Sequence, residues 1–190
     1  MKKAILAHAL RFALERHEGQ FRKGKDPMPY VFHPISVMQN LIQVGGIEDE
    51  EILAAALLHD VLEETGTEYQ EIEDRFGSRV AGLVQEVTRE EPTEAETEGM
   101  NDEEIYELRT ERFLKEIAAM SPEALCIKLA DRLENLRESA LTRPANKHER
   151  YLQQTTRILA IIPEDVNKPL WHTVEGWIKK RPAGIAEPCR

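Results

Sequence analysis

The sequence predicts an all-α protein. Apolar residues recur at three- and four-residue spacing almost throughout the 190 residues, and no window alternates in the manner of a half-buried strand. Helix signals punctuate that pattern: Ser121-Pro122 reads as an N-cap followed by a first-position proline, and glycines close several apolar runs. About eight helices are expected, in one domain over residues 1–181 with a tail from 182 to 190.

The first helix is expected from about Lys3 to His17, with Ile5, Leu6, Leu10, Phe12, Ala13 and Leu14 inward and Gly19 stopping it. A basic loop follows, Gln20-Phe21-Arg22-Lys23-Gly24-Lys25. His33-Pro34 then opens a second helix with proline at its first position. Ile35, Val37, Met38, Leu41, Ile42 and Val44 carry it to Gly45-Gly46. Asp49-Glu50-Glu51 suits the positive end of a third helix, which should run on to Thr65-Gly66. Thr67-Glu68-Tyr69-Gln70 reads as a capping box for a short helix ended by Gly77, and Ser78 as the cap of the next, with Val80, Leu83, Val84 and Val87 on one face. From Arg89 to Glu104 eight acidic residues and almost no apolar side chain predict a solvated, mobile loop, with a functional lid as the alternative. Ile105, Leu108, Phe113, Leu114 and Ile117 mark a further helix. The Ser121-capped helix and two more, about 147–162 and 166–180, complete the fold.

A formal net charge of −10 argues against non-specific DNA, RNA or anionic-membrane binding. It does not exclude a small anionic substrate, since a metal ion and a few basic residues can reverse the potential inside one cleft. No apolar run reaches the roughly 20 residues that span a bilayer, and the N-terminal segment reads as helix rather than signal peptide. Cys126 and Cys189 stand far apart, so the expected setting is cytoplasmic, without disulfide or cysteine-based metal site. Nothing in the sequence sets the oligomeric state.

One stretch organises the chain: Ala54-Ala55-Ala56-Leu57-Leu58-His59-Asp60-Val61-Leu62-Glu63-Glu64. A deeply apolar run is broken by His-Asp and then by two glutamates. On a continuous helix His59 faces Glu63 and Asp60 faces Glu64, and burying such groups is costly unless they are paired or hold a metal. His33 sits at a helix start, and Asp131 interrupts another apolar helix with Lys128 and Asn135 on its edge. Two imidazoles and two carboxylates suit a borderline-to-hard divalent ion such as Mn²⁺, Fe²⁺, Co²⁺ or Zn²⁺.

The order of these segments carries a resemblance. His17-Glu18-Gly19-Gln20-Phe21-Arg22-Lys23, Pro29-Tyr30-Val31-Phe32-His33-Pro34, the His59-Asp60 stretch through Thr65, Phe76-Gly77, Val87-Thr88 and Lys128-Leu129-Ala130-Asp131 resemble the HD-domain hydrolases of the RelA/SpoT type, small stand-alone alarmone hydrolases in particular. The resemblance covers roughly residues 1–160 and implies a compact all-α HD-domain bundle without the family's synthetase and regulatory domains. It implies His33, His59, Asp60 and Asp131 as metal ligands, with manganese the usual ion. Glu63 and Glu64 fall where the family activates the attacking water and handles protons. Arg22 and Lys23 fall on the basic substrate-binding motif, and Asn135 on a nucleotide-contacting asparagine. The implied reaction removes the 3′-pyrophosphate from (p)ppGpp, the stringent-response alarmone.

The residues themselves add substrate candidates. Lys128 is a point charge beside Asp131, Tyr30 lies near His33 as a stacking or core aromatic, and Lys147 and Tyr151 lie one turn apart where they could close the pocket's far side. Two positions depart from the family pattern. Glu64 stands where aspartate is usual, and Glu138 stands where a threonine often contacts substrate; its carboxylate either repels phosphate or reaches a basic residue. Other readings stay open: a phosphohydrolase for another nucleotide, such as the 2′-phosphate of NADPH or a nucleoside monophosphate, or a nucleotide-binding sensor without turnover. His8, His148 and His172 are expected as surface or packing residues, and His17 as structural.

Overall fold

The computed structural model describes residues 3–22 and 27–180. Lys23, Cys189 and the tail from Pro182 lie outside the described residues. The rest forms eleven α-helices and one 3₁₀ turn: α1 (Lys3–Arg16), α2 (Phe32–Gln43), α3 (Glu50–Leu58), α4 (Val61–Glu64), α5 (Tyr69–Phe76), α6 (Ser78–Val87), α7 (Glu94–Thr97), α8 (Asp102–Ala119), α9 (Pro122–Thr142), α10 (Ala145–Leu159), the 3₁₀ turn Glu164–Val166, and α11 (Lys168–Lys179). Two of the eleven are single turns, and among the described residues only one isolated β-bridge, Phe21 with Pro29, interrupts the all-α architecture.

The core grows around α3. Every residue from Ile52 to Leu58 is buried, so this helix is apolar all round and must be enclosed on all sides. It packs against α1, α2, α6 and α9, while α9 in turn touches α2, α6, α10 and α11. Ser121 caps α9 as its spacing predicts: its hydroxyl accepts from Ala124 N at 3.3 Å, and Pro122 takes the first helical position. Asp49 caps α3 through Glu51 N and Ile52 N.

Several expected details differ. The third helix does not run to Thr65; it ends at Leu58, and α4 restarts at Val61. Asp60 lies at φ −99°, ψ −5°, the sparsely allowed bridge region. The ring of His59 takes the Ala56 carbonyl with Nδ1 at 2.8 Å, an oxygen that a continued helix would offer to Asp60 N. Pro34 occupies the third position of α2, not the first, because the helix begins at Phe32. Thr67 makes no capping box, since its hydroxyl pairs with that of Thr65 at 2.7 Å and Glu68 caps α5 without its side chain. Ser78 is the first residue of α6, and Gly77 precedes it at φ 87°, a conformation open to glycine. The segment 89–104 is built rather than featureless: Thr93 with Glu96 and Asn101 with Glu104 form two capping boxes, giving α7 and an earlier start to α8. Leu14 and Ile42, expected inward, are exposed at 49% and 44%.

Among the described residues no helix is long and apolar enough to cross a membrane. Cys126 is a buried free thiol.

Candidate metal centre and active site

Three elements bring the site together. α2 presents His33 from its first turn, the bend between α3 and α4 presents His59 and Asp60, and the middle of α9 presents Asp131. The ligand atoms of His33, His59 and Asp60 lie within 4.8 Å of one another. Asp131 Oδ1 joins them, 3.2 Å from His33 Nε2 and 3.8 Å from His59 Nε2. Donors that share one ion at about 2.0–2.5 Å must lie within about 5 Å of each other. The spacing of His33, His59 and Asp60 fits a single divalent ion, with Asp131 beside both histidines.

The donor chemistry fits as well. His59 Nδ1–H is committed to Ala56 O, which leaves Nε2 as the lone-pair donor aimed at the cluster. That Nε2 lies 3.1 Å from Asp60 Oδ1, yet it is buried with no aligned hydrogen bond. On the other histidine of the cluster, Nε2 faces the carboxylates and the buried Nδ1 of His33 has no partner.

Burial works against a charged His59, but Asp60 and then Asp131 outweigh it and push the imidazole up to about 10. Burial likewise opposes ionisation of both aspartates. His59 foremost for Asp60, and His33 with His59 and Lys128 for Asp131, nevertheless hold them below the usual carboxylate range. The cluster is a dense, mutually compensated set of charges in which a cation can replace protons.

The cluster opens on a cavity of about 840 Å³. Glu63 and Glu64 line it from α4. The helix breaks between α3 and α4, yet Asp60, Glu63 and Glu64 still face one cavity, and Glu64 N donates to Asp60 O at 2.8 Å as a helical turn would. Glu63 contacts the cavity, yet the surrounding walls and the Asp60 carboxylate push its pKa up. Its Oε2 accepts from Arg89 N at 3.4 Å.

Arg22, Tyr30, Lys128, Asn135, Lys147 and Tyr151 all line this same cavity. The Tyr30 hydroxyl donates to Asp60 Oδ2 at 2.8 Å, and burial with the Asp60 charge raises the phenol far above its ordinary pKa, so it stays a donor. Lys128 donates to Val87 O at 3.0 Å and lies 3.7 Å from Asp131 Oδ2. Asn135 Nδ2 donates to Asp131 Oδ1, while its Oδ1 accepts from Arg22 Nη2 at 2.8 Å. Glu138 reaches a basic residue: it grips Arg22 through both fork positions, Nε at 3.1 Å and Nη2 more closely.

Residues that local spacing did not single out complete the walls. Arg89, Phe113, Arg132, Arg143 and Gln154 all face the cavity. Arg132 left a signal, a third charge inside the apolar run of α9 after Lys128 and Asp131, but it stood beside Asp131 and was masked by it. Gln20 also belongs to the frame: it donates to Glu64 O at 2.8 Å and accepts from His17 Nδ1 at 2.7 Å. His17 is buried and stacks on Tyr30 with centroids 4.7 Å apart, a structural place close to the site. His8 packs on Phe76, His148 meets Ser139, and His172 meets Glu164.

Residues 9–162 match the family model described as HD domain. The chain belongs to the HD-domain family. Within that family this HD domain is 37% identical over 152 residues to a Xenopus tropicalis protein named guanosine-3′,5′-bis(diphosphate) 3′-pyrophosphohydrolase MESH1, covering 80% of the chain and 78% of the relative. The Homo sapiens protein of the same name is 38% identical over 152 residues, with 80% and 78% covered. A solved structure described as a metazoan orthologue of SpoT that hydrolyses ppGpp superimposes on this HD domain with a TM-score of 0.81 at 30% identity. It covers 94% of this chain and 96% of that one.

Proposed function

We propose that this chain is a metal-dependent phosphohydrolase that removes the 3′-pyrophosphate from (p)ppGpp, releasing GDP or GTP and pyrophosphate. The observation that carries the reading is the His33–His59–Asp60–Asp131 cluster opening onto a cavity edged by Glu63 and lined by Lys128, Arg132 and Arg143. The printed activity of the MESH1 relatives supports the choice of substrate. These four side chains would hold a divalent ion, manganese in our assignment, which would lower the pKa of the attacking water and offset charge on the phosphoryl oxygens.

The chain's own groups do the rest. Glu63 takes a proton from the attacking water, a role its raised pKa favours because a base poised nearer neutrality transfers protons well in both directions. Glu64 lies one residue on and exchanges protons with solvent at the cavity edge. Tyr30 holds Asp60 by its hydroxyl, and Asn135 holds Asp131 by its amide, so both carboxylates keep their orientation. Lys128 sets a positive charge beside the cluster, where a pyrophosphate leaving group needs one. We assign the reaction to one hydrolase unit over residues 1–181 in the cytoplasm, acting on a small nucleotide rather than on DNA, RNA or a membrane.

The test is a screen of phosphate and pyrophosphate release from ppGpp, pppGpp, NADPH and nucleoside monophosphates with added Mn²⁺. Pyrophosphate from ppGpp, abolished by chelator, is the expected result. Phosphate from NADPH with ppGpp untouched moves the chain to another nucleotide, and binding of ppGpp without release makes it a sensor.

A further inference from the structure

Arg132 carries a charge that the fold leaves unanswered. It is 4% exposed, yet it lines the cavity. Its guanidinium carbon lies 5.5 Å from the Phe113 ring centroid and 4.4 Å from that of Tyr151. Its side-chain hydrogen bond is to a neutral group, Gln154 Oε1 at 3.2 Å, and its Nε is buried with no partner. The neighbouring Asp131 is engaged by His33, His59 and Lys128. Among the described residues no carboxylate forms an ion pair with Arg132. A buried charge without a counter-charge is costly, and a site that retains one is built for an ion it meets only on binding.

Arg143 stands beside it. It follows the last turn of α9, lines the same cavity, and lies 4.8 Å from the Tyr151 centroid. Among the described residues it too has no ion-pair partner. Arg22 is the contrast: Glu138 occupies its fork, so its charge is already matched. The cavity is therefore polarised, with a neutralised guanidinium on one wall and two unmatched ones gathered on Tyr151.

We propose that Arg132 and Arg143, braced on Tyr151, form an anion subsite that takes a second phosphate group of the ligand, separate from the one held at the His/Asp cluster. The ligand class is a nucleotide phosphorylated at two positions. Guanidinium forks match phosphate oxygens bidentately, which lets this subsite fix the ligand's orientation as well as its charge. The proposal rests on the phosphohydrolase reading above for the identity of the first subsite.

Calorimetric titration of the full metal-loaded chain tests it with two probes that differ only at one end, guanosine 3′,5′-bisphosphate and guanosine 3′-monophosphate. Arg143→Gln and Arg132→Lys should each weaken the bisphosphate about tenfold, equal to ~1.4 kcal/mol. The monophosphate should bind as to the unmodified chain. Equal weakening of both probes, or of neither, overturns the subsite. Arg143 is exposed, so its variant decides the matter should the Arg132 variant fail to fold. If the twofold-phosphorylated probe is selectively weakened while ppGpp is never hydrolysed, the subsite stands and the activity falls. If ppGpp is hydrolysed and the selective loss is absent, the subsite alone falls.

Discussion

Tyr30 donates its hydroxyl to Asp60 Oδ2 at 2.8 Å, tying the loop before α2 to the bend after α3. His17 stacks behind the same ring and Arg22 lies over it at 5.3 Å, so one aromatic joins the cluster to the cavity wall.

Tyr30→Phe keeps that stacking and removes the hydroxyl alone. Metal affinity should fall about 10–100-fold, the usual effect of losing a hydrogen bond to a ligating carboxylate. Competition against a chromogenic chelator measures it, and unchanged affinity would show that Asp60 needs no support from Tyr30.

Glu63→Gln separates proton transfer from binding. Turnover should drop roughly 10²–10⁴-fold while metal and nucleotide still bind, because the amide keeps the size but not the basicity. Asp60→Asn should lose metal and activity together. Glu64→Asp shortens the side chain by about one methylene, and positioning errors of about 1 Å can cost about a hundredfold. A sharp gain in ppGpp hydrolysis in that variant would mean that the natural chain is tuned to a different substrate. Stopped assays on purified variants, with metal content measured in parallel, distinguish these cases.

The chelated protein should show a stability optimum on the acidic side of neutrality. His59 is pushed up to about 10 from its ordinary 6.5, so its contribution is complete below 6.5 and disappears as pH climbs toward 10. Asp60 and Asp131 are held below their ordinary 3.8, so their contributions are present above 3.8 and vanish as pH falls through the lowered values. Thermal melts in chelator should therefore peak between about pH 4 and 6.5. Metal uptake at neutral pH should release a proton from His59, visible as a buffer-dependent heat. A melting maximum above pH 8 without metal contradicts this account of the cluster.

Gly45→Ala should destabilise the fold without touching the chemistry. A Cβ there would lie 2.8 Å from Leu41 O and 2.9 Å from Leu170 Cδ1, where α2 ends against α11. The carbonyl cannot yield, so the cost should be about 1–3 kcal/mol, read from denaturant unfolding. Activity of the folded fraction should persist, since Gly45 stands about 18 Å along the chain axis from His33 at a helical rise. Wild-type stability in this variant would mean that the α2–α11 junction repacks freely.

Much of this was written in local pattern. The apolar run of α3, the Ser121-Pro122 start of α9 and the charged residues set into both helices follow from spacing alone, because side chains three and four apart share a face whatever the rest of the chain does. The same rule placed Lys128, Asp131 and Asn135 together, and they touch as expected.

The bend at His59-Asp60 did not follow from spacing, because a ring nitrogen competing for the Ala56 carbonyl has no sequence period. Neither did the Glu138 grip on Arg22, a pair 116 positions apart, nor the burial of Arg132 between Phe113 and Tyr151. Residue types and their helical faces are decided by the chain itself, through steric rules that act over a few residues. Which charges meet and which are left unmatched is decided only when α2, α8, α9 and α10 pack, because an ion pair depends on ångström distances between elements that the sequence does not bring together.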